Sequence, residues 1–96
     1  MDLLLTYDVD TTTPDGNRRL RKVAKICEGH GIRVQKSVFE IVCTEPQRIQ
    51  LEHTIRQVID DTLDSIRIYQ LPHHTLDTVH HLGTGPHPTH RADHII

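Results

Sequence analysis

Asp8 and Asp10, two residues apart in Tyr7-Asp8-Val9-Asp10, are the carboxylates of this 96-residue chain best spaced to take a hard cation. A strand repeats every two residues, so both would face one side if a strand ran that far, and Mg²⁺ accepts such oxygens while keeping several of its waters. Acids also end strands and open turns, so the pair by itself leaves a loop role open. A second group is cationic. At 100° per residue, Arg18, Arg21, Lys22 and Lys25 fall within a sector of about 100°, opposite Leu20, Val23, Ala24 and Cys27, with Arg19 on the flank. Solvated helix faces usually mix signs, whereas Glu28 is the only acid between residues 17 and 36. One basic face opposite one apolar face points to phosphate, with salt-dependent affinity and little sequence preference.

Other residue types offer less. Seven of the nine histidines lie in the last 24 residues, as His73-His74, His80-His81, His87, His90 and His94. They can attract Zn²⁺ or Ni²⁺ adventitiously, but no cysteine or carboxylate framework accompanies them, and a solvated tail is the better reading. Cys27 and Cys43 sit on apolar patterns rather than in C-x-x-C, which suits buried free thiols in a reducing compartment. No glycine-rich phosphate loop, G-x-S-x-G elbow or H-E-x-x-H occurs, and covalent nucleophilic catalysis has no foothold.

Elements that could position these groups follow from periodicity. Residues 3–9 read as a buried strand running into a Thr-Thr-Thr-Pro-Asp-Gly loop. Thr13 and Pro14 suit an N-cap and first helical position, and the helix stops at Gly29 and Gly31. From Ile32 to Thr44 the residues become β-branched and alternating, with Gln35-Lys36-Ser37 as the break of a hairpin. Thr44-Glu45-Pro46-Gln47 caps a second helix, in which Leu51, Ile55, Val58 and Ile59 recur. Residues 65–71 form a fourth strand closed by Pro72. The order βαββαβ predicts an α+β, ferredoxin-like fold: a four-stranded antiparallel sheet with two helices on one face, the other face left for a partner or for polar groups. Thr78-Val79-His80-His81-Leu82 could add a short fifth strand. We therefore expect one domain over residues 1–82 and a mobile His/Pro/Gly-rich tail over 83–96.

Composition bounds the function. About 35 % of the residues are apolar, enough for one modest core that a second subunit would reinforce. With three aromatics, Tyr7, Phe39 and Tyr69, and no tryptophan, there is no platform for stacking bases. The net charge of -2 conceals segregation: residues 1–16 hold four acids and no bases, 17–36 seven bases and one acid, and 37–96 four bases and eight acids. The acidic start lacks the basic region of a signal peptide, and no apolar run approaches a membrane span, so a cytoplasmic, membrane-free protein is expected.

Three stretches, Thr6-Tyr7-Asp8-Val9, Arg18 to Lys25 and Arg33-Val34-Gln35-Lys36-Ser37-Val38-Phe39-Glu40, together resemble the small adaptation subunit of CRISPR systems, CRISPR-associated protein two. Asp64-Ser65-Ile66-Arg67-Ile68-Tyr69 adds a fourth match, and the resemblance runs from about Leu3 to Leu82. It implies a ferredoxin-like homodimer in which the two Asp8 carboxylates meet across the twofold axis and share Mg²⁺ or another divalent cation. By position, Asp8 would be the metal ligand and catalytic residue. Arg18, Arg19, Arg21, Lys22, Lys25 and Arg33 would face nucleic acid, and Ser37 and Phe39 would shape the dimer site. The C-terminal segment would add an edge strand to the partner protomer.

Two roles follow from the resemblance: metal-dependent endonuclease activity on single-stranded RNA or duplex DNA, and a non-catalytic role in which the dimer bridges the CRISPR integrase, CRISPR-associated protein one, and holds spacer DNA during acquisition. A cation held by two carboxylates can polarise a phosphoryl oxygen and acidify a bound water. The site lacks a positioned base other than Asp10, however, and holding DNA is taken as the main role. A toxin-type ferredoxin-like ribonuclease and a non-enzymatic small-molecule regulatory domain are the rivals. The first would arrest growth on expression, and the second would retain no DNA at low salt.

Overall fold

Buried apolar residues alternate along Asp2–Asp8, as Leu3, Leu5 and Tyr7, and recur at helical spacing along Pro14–Glu28, and those two periods set the architecture of the computed structural model, which describes residues 1–85. The elements are β1 (Asp2–Asp8), α1 (Pro14–Glu28), β2 (Ile32–Gln35), β3 (Val38–Val42), α2 (Glu45–Arg56) and β4 (Ser65–Leu71), followed by a 3-10 turn over Thr75–Thr78. The sheet is antiparallel throughout, in the order β2-β3-β1-β4, which is the ferredoxin-like arrangement expected from βαββαβ. No helix among the described residues is long and apolar enough to cross a membrane.

Both helices begin where their caps dictate. The Thr13 hydroxyl accepts the Gly16 N–H at 3.2 Å, and Thr44 and Gln47 form a reciprocal capping box. α2 ends at Arg56, earlier than the apolar spacing suggests. Val58 and Ile59 lie beyond it, in a turn whose N–H groups return to the Ile55 carbonyl, and still pack against the core. Leu3, Leu5 and Tyr7 of β1 and Phe39 and Ile41 of β3 meet Val23 and Cys27 of α1 and Leu51 and Ile55 of α2. Cys27 and Cys43 are free and buried, and burial pushes the Cys27 thiol up to about 12, so it packs as an apolar group.

Directly opposed residues in an antiparallel pair point to the same side of the sheet. Leu4 faces Glu40 and Tyr69, Thr6 faces Val38 and Arg67, and Asp8 faces Ser65. These residues line the face away from the helices. At one end of it the chain covers its own sheet: Leu76 is buried, and its N–H donates to Oδ2 of the fully buried Asp2 at 2.8 Å. The expected fifth strand over 78–82 is absent from this single chain. Thr78 closes the 3-10 turn instead, and residues 79–82 pair with no strand. Residues 86–96, which carry His87, His90, His94 and most of the expected tail, lie outside the described residues.

Candidate metal and nucleic-acid site

Asp8 is the last residue of β1, exposed, on the helix-free face of the sheet. Its carboxylate has no hydrogen bond or ion pair among the described residues. Asp10 does not join it. The strand stops at Asp8, and the Asp10 carboxylate folds onto its own loop, where Oδ1 accepts the Thr12 N–H at 2.8 Å and the Thr12 hydroxyl at 2.7 Å. Those two bonds hold the Asp10 carboxyl below the ordinary carboxylate range, the Thr12 hydroxyl contributing most. Asp10 is thus a turn residue, and an Asx turn is the physical reason the strand period fails there. Among the described residues no group of three His, Cys, Asp or Glu side chains is arranged to hold a metal. Mg²⁺ takes about six oxygens, so the Asp8 carboxylate would hold it only together with waters and further oxygens from outside its own strand end.

Beside Asp8 the hairpin turn is fixed by Tyr7. Its N–H donates to the Ser37 carbonyl at 3.1 Å and its hydroxyl to the Lys36 carbonyl at 3.0 Å. The Tyr7 ring stacks on Phe39 with centroids 6.1 Å apart, and the Arg33 guanidinium lies 5.2 Å from the centroid of the Phe39 ring. Phe39 has no exposed surface and points to the helix side, so it cannot touch a partner across the open face. From there it supports Tyr7, which holds the turn bearing Ser37. Ser37 is half-buried at that turn. A tyrosine on a buried alternating position is itself the sequence signal for this tie, because a buried phenol seeks a hydrogen-bond partner.

The cations divide into two sets. Arg21, Lys22 and Lys25 are exposed and have no acid partner among the described residues. Arg18 is exposed but pairs with Asp15 at 2.5 Å, an i,i+3 contact weak enough to exchange for phosphate. Arg33 pairs with Glu28 at 3.4 Å, with both side chains largely exposed. Arg19 is different: it is 16 % exposed and its Nε donates to Asp64 Oδ2 at 2.8 Å, the Asp64 side chain having no exposed surface. The expectation that Arg19 faces nucleic acid is corrected, because its charge is neutralised inside the protein.

Asp64, an ordinary loop acid by sequence pattern, gathers the two loops at this end of the sheet. It accepts the N–H of Asp10 at 3.0 Å and that of Asp60 at 2.9 Å. Burial pushes its carboxyl up, and the Arg19 guanidinium with the two N–H donors outweighs that, leaving it below its ordinary value of 3.8. Asp60 is lowered like Asp10, chiefly by the Thr62 hydroxyl. Depressed carboxylates stabilise the fold above their unfolded pKa, and that stabilisation is lost as pH falls through the folded values. Denaturant midpoints should therefore hold from pH 7 to about 5 and fall steeply below about pH 4, and Asp64→Asn should flatten that fall.

Taken together, the antiparallel sheet in the order β2-β3-β1-β4 and two helices on one of its faces define a small protein of the split βαβ, ferredoxin-like class. Comparison with known proteins narrows the class. The profile of the family described as CRISPR associated protein Cas2 matches residues 1–79, and the chain belongs to that family. It is 55 % identical over 71 residues to a protein of Moorella thermoacetica named CRISPR-associated endoribonuclease Cas2 1, spanning 74 % of each chain. It is 44 % identical over 86 residues to the CRISPR-associated endonuclease Cas2 of Halalkalibacterium halodurans, spanning 90 % of each. The crystal structure of Streptococcus pyogenes Cas2 superposes with a TM-score of 0.76 at 47 % identity, covering 86 % of this chain and all of that one.

Proposed function

We propose that this protein is the adaptation subunit of a CRISPR system, a homodimer that holds duplex spacer DNA by its phosphates and bridges the integrase, CRISPR-associated protein one. The observation that carries this reading is the unpaired basic stripe of α1: Arg21, Lys22 and Lys25 are exposed without acid partners among the described residues. Cations left unneutralised on one face are the footprint of a polyanion. The helix-free face of the sheet supports the dimer. Leu4, Thr6 and Val38 are only partly covered there, Tyr69 is 43 % exposed with Arg67 over its ring, and Asp8 ends the same face. Stacking two copies on that face buries its apolar residues and brings the two Asp8 carboxylates toward one axis. A divalent cation held there by both would polarise a phosphodiester oxygen. Cleavage of RNA or duplex DNA is a secondary capacity of the same site, in line with the words endoribonuclease and endonuclease in the relatives' names.

The test is retention of labelled duplex DNA across a salt series, with and without the integrase, beside a Mg²⁺-dependent cleavage assay of wild type and Asp8→Ala. Asp8→Ala should keep the dimer and the DNA retention and reduce any cleavage to background. Loss of spacer integration together with cleavage, in a variant that still dimerises, would instead make catalysis the main role. Wild-type protein that retains no DNA at low salt would remove the proposal.

A further inference from the structure

Two short segments, Asp10-Thr11-Thr12 and Asp60-Asp61-Thr62, fold alike. In each, the first aspartate's Oδ1 accepts the N–H of the threonine two residues on, at 2.8 and 2.9 Å, and its hydroxyl, at 2.7 and 2.6 Å. Each turn then donates its leading N–H to a different oxygen of Asp64, Asp10 to Oδ1 and Asp60 to Oδ2. Arg19 closes the assembly. Its Nε lies on Asp64 Oδ2 and its Nη2 reaches the Asp10 carbonyl at 3.5 Å. Gly16 presses on the same carbonyl so closely that a Cβ there would stand 1.9 Å from it. The backbone of Asp10 is thereby held at its N–H and at its C=O. Asp8 lies two residues upstream, opposite Ser65, the neighbour of Asp64. The chain is anchored two residues beyond, and across the sheet from, a carboxylate that itself makes no hydrogen bond or ion pair among the described residues.

We infer that Asp64 and Arg19 are positioning residues for Asp8: they fix the end of β1 so that the free carboxylate projects in one direction toward a divalent cation. The inference rests on reading Asp8 as the cation's ligand. A strand end without such anchors frays, and a ligand that must be ordered on binding holds its metal less tightly. Groups that orient a metal ligand are typically worth tenfold to a hundredfold in affinity.

The measurement is Mn²⁺ binding, read from the electron paramagnetic resonance of the free ion, at a temperature where circular dichroism shows every variant folded. Asp8→Ala should abolish binding, and Asp64→Asn and Arg19→Lys should each weaken it about tenfold. Leu51→Ala, which loosens the core beneath α2 away from these loops, should leave it unchanged. If Asp64→Asn does not fold, Arg19→Lys, which keeps the charge and loses the fork, decides. Wild-type affinity in the Asp64 and Arg19 variants, with binding lost in Asp8→Ala, would overturn the positioning role alone. So would an equal loss in Leu51→Ala. A wild type that binds no Mn²⁺, or an Asp8→Ala that binds it fully, would overturn the reading of Asp8 and this inference with it.

Discussion

Replacing Arg21, Lys22 and Lys25 together by alanine should weaken low-salt retention of duplex DNA on the order of a hundredfold while leaving the thermal midpoint in place. The three side chains are exposed and make no ion pair among the described residues, so the fold loses nothing with them. Alanine is also the best helix former, which protects α1 from a propensity cost. Removing each phosphate-binding cation should lower the slope of log affinity against log salt by about one, uniformly across DNA sequences. Arg19→Ala should do the reverse, lowering the midpoint by removing the partner of the buried Asp64 and leaving the salt slope unchanged. Equal effects of the two changes on the slope would refute the division of the cations into a DNA set and a structural set. Fluorescence anisotropy across a salt series, with a melting curve for each variant, measures both.

Phe39→Ala should be the most damaging single change, costing about 3 to 5 kcal/mol in denaturant unfolding. A domain of this size commonly has about 5 to 15 kcal/mol in total, so much of the margin goes. Phe39 has no exposed surface, stacks on Tyr7 and carries the Arg33 guanidinium over its ring. Its removal therefore opens a cavity and also frees Tyr7, whose hydroxyl and N–H hold the Lys36-Ser37 turn beside Asp8. Phe39→Leu should recover most of the stability, because the volume is largely restored, but not the ring contacts. If Phe39→Ala left the denaturant midpoint unchanged and altered only dimerisation, the residue would belong to the interface after all.

Much of the fold is legible in the sequence because its signals are local. Thr13-Pro14 before an apolar stripe and Thr44 with Gln47 three residues on each name a helix start through donors that the first turn leaves unpaired, and both caps form as written. Residues 32–35 and 38–42 separate at the Lys36-Ser37 turn where the β-branched alternation breaks. The second helix is shorter than its pattern because Val58 and Ile59 keep an apolar spacing that a turn can also satisfy when it packs on the same core. The segment over 78–82 has the composition of a strand, yet strand pairing is a relation between two segments, and no free edge of this chain takes it.

For the site, the sequence by itself determined its materials: a carboxylate at the end of an apolar strand, a helix basic on one face and apolar on the other, and a short aromatic-bearing hairpin. Only the tertiary structure decided which of those charges stay free. Arg19 and Arg21 are the same residue type two positions apart, separated by about 200° of helix, so one meets a buried carboxylate 45 residues away and the other meets solvent. Asp8 and Asp10 are likewise equivalent in a strand pattern, and a hydroxyl two residues on folds one of them onto its own loop. Local periodicity tells which face a side chain takes. What waits on that face is set by long-range packing, which brings Asp64 between two loops far apart in the chain, and no single window of sequence contains it.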